Sequence, residues 1–104
     1  MPAAESPILV DVWTVDPARR EELLGRISKV ARDLILKQPG FVSAQLYEST
    51  DGGAVMVSVR MRSVKDRLKL TDSPEVHAAM RELRAIGQNH TRLYKLVEDF
   101  GDPQ

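Results

Sequence analysis

Few side chains in this sequence are suited to proton chemistry, and they lie far apart. Two histidines occur, His77 in the segment Ser-Pro-Glu-Val-His and His90 directly after Asn89. Imidazole changes its protonation near neutral pH, which suits proton abstraction from a substrate. We predict His77 on a helix, pointing into the space between helices and sheet as a general base; the alternative is a histidine that faces solvent. For His90 a loop position without a role is the simpler interpretation.

Several classes of site are excluded by composition and spacing. The 104 residues contain no cysteine, so disulfides, thiolate nucleophiles and zinc–thiolate sites are impossible. No HExxH motif or other metal-ligand spacing occurs, and two isolated histidines make a poor metal site. The segment Asp51-Gly52-Gly53 joins two predicted strands rather than a strand and a helix, so it is not a phosphate-binding loop. We therefore expect no metal site and no phosphate-binding loop.

The charge balance and the lengths of the apolar runs argue against nucleic-acid and membrane partners. Fifteen basic residues balance fifteen acidic ones, which argues against a nucleic-acid partner, since that needs a clustered basic excess. No apolar run approaches the ~20 residues that span a bilayer, and the first seven residues do not read as a signal peptide. We expect one cytoplasmic domain over residues 1–104, with a core at about 8–100 and no membrane partner.

The elements that must position these side chains follow from hydrophobic periodicity and capping signals. Strands are β-branched and apolar, helices carry apolar residues at three- and four-residue spacing, and Pro-Gly or Gly-rich segments separate them. The predicted order is a strand over Ile8–Val15, a helix from Asp16-Pro17 to about Lys37, strands over Phe41–Glu48 and Ala54–Met61, helices after Ser63 and Ser73, and a strand over Thr91–Glu98. This β-α-β-β-α-β order predicts a ferredoxin-like α+β fold, a four-stranded antiparallel sheet with two helices on one face.

Alternation along each strand divides the sheet into two predicted faces. The almost purely apolar sets should lie under the helices: Ile8, Val10 and Val12; Val42, Ala44 and Leu46; Val55, Val57, Val59 and Met61. The opposite face would then hold Asp11, Trp13, Phe41, Ser43, Gln45, Tyr47, Met56, Ser58 and Arg60. A half-polar sheet face rich in aromatic residues usually meets a partner, and we predict a second copy, which makes the protein a homodimer. A monomer with long side chains lying over an open sheet is the alternative.

Individual residues on these faces allow two interpretations each. Trp13 is expected either to stack on a flat aromatic ligand or to pack in the dimer interface. Asp11 needs a partner inside a strand: an ion pair with Arg60 across the interface is predicted, and a catalytic acid is the alternative. Tyr47 and Tyr94 are candidates to donate hydrogen bonds to an oxygen atom of a ligand, or else anchor the interface. An apolar pocket between sheet and helices would suit a ring system.

The stretch Pro39-Gly40-Phe41 and the hairpin from Tyr47 through Ser-Thr-Asp-Gly-Gly to Val55 resemble the antibiotic biosynthesis monooxygenase family. The resemblance covers about Ile8 to Phe100. It implies a dimeric α/β-barrel fold that oxidises electron-rich polycyclic aromatics, such as anthrones to quinones, with molecular oxygen and without metal or flavin.

The resemblance also bears on the site. It implies that Val57 and Met61 occupy pocket-lining positions where family members carry asparagine and tryptophan, and that Tyr47 stands where a histidine is often found. The candidate catalytic residues are therefore His77 and Tyr47, and the candidate substrate-binding residues are Trp13, Val57, Met61, Met80, Tyr94 and Arg60. A small aromatic molecule is the expected substrate. A non-catalytic ligand-binding or accessory dimer, or a polyketide cyclase, remain alternative functions.

Overall fold

Four strands form one antiparallel sheet, and the helices cover one of its faces. A computed structural model of the protein describes residues 7–101. The sheet order β2-β3-β1-β4 is ferredoxin-like and confirms the predicted fold class. The strands are β1 Ile8–Thr14, β2 Phe41–Glu48, β3 Ala54–Met61 and β4 Gln88–Tyr94, and the helices are α1 Arg20–Val30, α2 Val64–Thr71 and α3 Pro74–Leu83, with a 3₁₀ turn at Pro17–Arg19 and a π turn at Ala31–Ile35.

The helices begin at the capping residues that the sequence indicates. The Asp16 carboxylate accepts a hydrogen bond from the Ala18 amide at 2.9 Å, at the 3₁₀ turn that leads into α1. The Ser63 hydroxyl accepts from the Asp66 amide at 3.1 Å and begins α2, and Ser73 caps α3 in the same way. Each cap satisfies an amide that has no partner inside its helix, so these short helices start at defined positions.

The π turn after α1 changes which side chain faces the sheet. The Leu36 amide donates to the Ala31 carbonyl at 2.9 Å, a bond between residues five apart. In an unbroken α-helix Leu34, seven residues after Ile27, would return to the inner face. The turn adds one residue, and Ile35 is the buried side chain instead, while Leu34 is only partly buried.

β1 presents the opposite face to the one predicted. Asp11 pairs with Val57 and Trp13 with Val55, and directly opposed residues share a face. Both residue sets of β1 are largely apolar, so their alternation defines two faces but does not tell which one faces the helices. The side of Trp13 faces inward because the large apolar area of the indole stabilises the fold most when it is buried. The predicted orientation was wrong: Leu9, Asp11 and Trp13 lie towards the helices, and Ile8, Val10 and Val12 lie away from them.

A β-bulge at the start of β2 accounts for the misplacement of Phe41. Phe41 pairs with Met61, and Ser43 pairs with Arg60. Val42 is therefore an extra residue in β2 with no partner position in β3. Phe41 therefore packs against the core, and Val42 is 51% exposed, which reverses the prediction for both. Beyond the bulge, β2 and β3 have the predicted faces.

β4 begins three residues earlier than predicted and ends at Tyr94 rather than Glu98. The cause is a close approach of two backbones at Gly87. A Cβ atom there would lie 2.7 Å from the carbonyl oxygen of Thr14, so only glycine lets the chain turn directly from α3 into the sheet. Gln88 then pairs at once with Thr14 at the end of β1.

The β2–β3 hairpin turns at the Gly-rich segment that joins the two predicted strands. Gly52 adopts φ +84°, a backbone angle that favours glycine. Hydrogen bonds from the Ser49 hydroxyl at 2.6 Å and the Gly53 amide at 3.0 Å hold the pKa of the Asp51 carboxyl below its usual value. These local bonds fix the turn and, with it, the register of the two strands.

The sheet face turned away from the helices is called the open face below. It combines apolar, aromatic and polar side chains, as predicted for the parts contributed by β2 and β3. The strand pairing assigns to it Ile8, Val10, Val12, Ser43, Gln45, Tyr47, Met56, Ser58, Arg60, His90, Arg92 and Tyr94.

Candidate active site

A cavity of about 160 Å³ lies between the sheet and the helices. Its walls come from the inward faces of β1, β3 and β4 and from all three helices. A cavity of roughly this volume accommodates one benzene-sized ring, so a larger molecule would extend through its mouth. Most of the lining is apolar, including Leu9, Trp13, Val57, Val59, Leu70 and Met80.

A carboxylate is built into one wall of this apolar cavity. Asp11, in the middle of β1, is 8% exposed. Its Oδ1 accepts hydrogen bonds from the Thr91 hydroxyl at 2.8 Å and from the Asn89 side-chain amide at 3.0 Å. Both donors stand on the inward face of β4, next to β1, and both line the cavity. The strand pairing therefore assembles this polar cluster.

Arg84 links the cluster to the end of α3. Its Nε donates to Asn89 Oδ1 at 3.0 Å, and Asn89 Nδ2 also donates to the Thr91 hydroxyl at 3.3 Å. An arginine only donates and an ionised carboxylate only accepts, so the Asn89 amide has one orientation that satisfies both neighbours. Its oxygen faces Arg84, and its nitrogen faces Asp11.

His77 lies on α3, is one of the residues that line the cavity and is exposed. Its role as a general base stays a prediction, and so does the alternative of a histidine that faces solvent.

The structure divides the other predicted site residues into three groups. Trp13, Val57 and Met80 line the cavity with His77. Met61 is completely buried in the core and is not part of the lining. The remaining three, Tyr47, Tyr94 and Arg60, lie on the open face, on the other side of the sheet. The catalytic role of Tyr47 and the substrate-binding roles of Tyr94 and Arg60 stay predictions.

The predicted ion pair between Asp11 and Arg60 was wrong. Arg60 stands opposite Ile8 in the β1–β3 pairing and therefore points to the open face, whereas Asp11 points into the cavity. The Asp11 carboxylate is instead stabilised by two uncharged donors from β4.

Four polar residues of the cavity lining were not singled out from the sequence: Thr71, Arg84, Asn89 and Thr91. Asn89 and Thr91 are two residues apart, which is the spacing of one strand face. That signal was hidden because the predicted strand began at Thr91. Arg84 follows the last turn of α3, and basic residues are common at the C-terminal ends of helices, so the sequence gives no sign of a role in a site.

Other classes of site are not found in the part of the chain that the structure describes. Among residues 7–101, no group of three or more histidine, aspartate or glutamate side chains could hold a metal ion. Nor does this range contain a helix long and apolar enough to cross a membrane.

Comparison with known proteins matches the family model of antibiotic biosynthesis monooxygenases over residues 8–82. Tetracenomycin-F1 monooxygenase of Streptomyces glaucescens is 29% identical over 100 residues, which cover 96% of this chain and 89% of the relative.

Solved structures agree in fold. The monooxygenase from the gene ActVA-Orf6 of Streptomyces coelicolor, in complex with nanaomycin D, matches with a TM-score of 0.81 at 22% identity and covers 98% of this chain and 96% of its own. SnoaB, a cofactor-independent oxygenase from Streptomyces nogalater, matches with a TM-score of 0.75 at 19% identity, over 94% of this chain and 99% of its own. Because the family model covers most of the sequence and the folds agree throughout, this chain belongs to the antibiotic biosynthesis monooxygenase family.

Proposed function

We propose that this protein is a cofactor-independent monooxygenase that oxidises a polycyclic aromatic polyketide of the anthrone or quinol type to a quinone. The observation that carries the proposal is the apolar cavity with a carboxylate in its wall and a histidine and an arginine at its edge. Membership of the family and the relative named for tetracenomycin F1 support the same class of substrate.

The chemistry needs little from the protein because the substrate supplies the electrons. An anthrone CH₂ group loses a proton, and the resulting carbanion passes an electron to O₂. The two radicals combine into a peroxide at the same carbon. Loss of the second C–H proton and cleavage of the O–O bond then give C=O and water, so that ArCH₂ + O₂ becomes ArC=O + H₂O. The protein must accept a proton, exclude bulk water and stabilise oxyanions.

Side chains for each of these tasks line the cavity. Trp13 provides a flat apolar wall against which an aromatic ring stacks. His77 and Asp11 are groups that accept a proton. The Arg84 guanidinium is a cation in the lining, suited to stabilising negative charge on a substrate oxygen.

The test is to mix the purified protein with an anthrone or a dihydroquinone in air and to follow quinone absorbance together with oxygen consumption. We expect both to exceed the rate in buffer and in a boiled sample. With ¹⁸O₂ and the anthrone, the new carbonyl should carry the label. Product formation without oxygen uptake would instead identify a cyclase, and saturable binding without turnover would identify a ligand-binding or accessory protein.

We further propose that the protein is a homodimer joined through the open face. This face exposes an apolar and aromatic surface unusual for sheet in contact with water, with Val12 39% exposed and Tyr47 and Tyr94 each about half exposed. Pairing two such sheets would remove this surface from water.

The dimer predicts a mass in solution of about 23 kDa, twice the 11.6 kDa of one chain. Val12→Asp should shift sedimentation equilibrium towards the single chain, because a carboxylate would be buried without a partner. Val64→Asp, on the exposed side of α2, is the matched control and should leave the mass unchanged. A wild-type chain that sediments as a monomer at micromolar concentration would contradict the proposal.

A further inference from the structure

The buried position of Asp11 carries an unfavourable free energy of desolvation. A carboxylate 8% exposed in a mostly apolar cavity loses much of its hydration, and an apolar residue there would avoid that loss. No salt bridge to Asp11 occurs within residues 7–101, so no cation adjoining it offsets this loss. Hydrogen bonds from Thr91 and Asn89 hold it instead.

These hydrogen bonds are distributed unequally between the two carboxylate oxygens. Both donors reach Oδ1, at 2.8 and 3.0 Å, whereas no donor within residues 7–101 makes a hydrogen bond to Oδ2. Arg84 fixes the Asn89 amide, and Thr91 is fixed by the same amide, so the carboxylate is held in one orientation. The arrangement leaves one oxygen as an acceptor beside the cavity.

We propose that Oδ2 of Asp11 is the proton acceptor for the reacting carbon of the substrate. The inference rests on the proposed function and names the group that begins the reaction. The C–H bond of the anthrone CH₂ breaks, its electron pair stays on the substrate as a delocalised carbanion, and the proton passes to Oδ2. O₂ then receives electrons from the carbanion. Asp11 returns the proton to the peroxide oxygen and is again a carboxylate.

The size of the cavity favours Asp11 over His77 for this step. About 160 Å³ admits roughly one ring, so the end of the substrate that enters lies beside Asp11. His77 is exposed whereas Asp11 is 8% exposed, so Asp11 is the more enclosed of the two groups. The titratable and charged groups that face the cavity with Asp11 are His77 and Arg84, both from the α3 side, whereas α1 and α2 contribute apolar side chains and Thr71.

Hydrogen exchange in the absence of oxygen isolates the proposed step. The anthrone is incubated with protein in D₂O under argon, and deuterium at the CH₂ carbon is followed by NMR. Asp11→Asn keeps an oxygen for Asn89 and Thr91 and replaces Oδ2 with an NH₂ group, so it alters the acceptor and little else. We expect exchange above the buffer rate to fall by about 10²- to 10⁴-fold, the usual contribution of a general base. Asp72→Asn makes the same change at an exposed carboxylate outside the cavity and should retain the wild-type exchange rate.

A circular-dichroism melt verifies folding, and Asp11→Ser gives the same readout should the asparagine variant not fold. Wild-type exchange rates in the folded Asp11 variants would overturn the assignment while leaving the oxygenase proposal intact. A wild-type protein that neither exchanges nor oxidises the anthrone would overturn the proposed function itself.

Discussion

Replacing Trp13 with alanine is expected to lower the free energy of unfolding by about 3–5 kcal/mol. The indole is 1% exposed and packs in the core between sheet and helices, so its removal leaves a void that close-packed neighbours fill only in part. In a domain of roughly this size each kcal/mol lowers the melting temperature by about 4–8 °C, so a drop of at least ~12 °C should appear in a thermal melt.

Two controls make this result specific to the orientation of β1. Trp13→Phe retains an aromatic ring and should lose clearly less stability than the alanine variant. Val12→Ala, on the neighbouring and more exposed position, should cost at most about 1 kcal/mol. If Val12→Ala were the more damaging of the two alanine variants, the strand would be turned the other way and the cavity described above would not exist.

Filling the cavity should lower kcat/KM at least tenfold without unfolding the protein. Val57 lies in the middle of β3 and lines the cavity directly opposite Asp11 in the strand pairing. In Val57→Phe the added ring has space to enter, so the stability loss should stay below the roughly 1–3 kcal/mol of an overpacked core. The ring then occupies the position of the substrate ring, and we expect kcat/KM to fall at least tenfold, about 1.4 kcal/mol of transition-state binding.

Leu46 provides the matched control for this variant. It pairs with Val57 across β2 and β3 and shares its face, but it is 39% exposed and lies outside the cavity. Leu46→Phe adds a ring one strand away and should retain kcat/KM within about twofold. Equal losses in both variants, or an unchanged rate in Val57→Phe, would show that the substrate binds elsewhere.

The sequence predicted the fold because most of the helix starts and the hairpin turn carry local signals. Side-chain caps at Asp16, Ser63 and Ser73 start the helices, and the Gly52 turn joins β2 to β3. β3 was assigned correctly for a similar reason, since its outward set includes Ser58 and Arg60 and its inward set is apolar throughout.

The errors at the site come from features without a local signal. Both faces of β1 are apolar enough to be core, and the single carboxylate at Asp11 favoured the wrong choice. Its position is decided by Asn89 and Thr91, which are 78 and 80 residues away in the chain. The β2 bulge also depends on pairing with another strand, and Phe41 alone does not reveal it. Polar groups buried by long-range pairing are therefore the ones that sequence patterns misplace.

The π turn after α1 has a consequence for how such a pocket can be altered. Deleting one residue from it would restore regular winding and rotate the following segment by roughly 100° about the helix axis. Leu34 would then replace Ile35 as a wall of the cavity. A change in chain length, rather than a substitution, would thus remodel the space available to a ring system while every polar group around Asp11 keeps its identity and its place in the sheet.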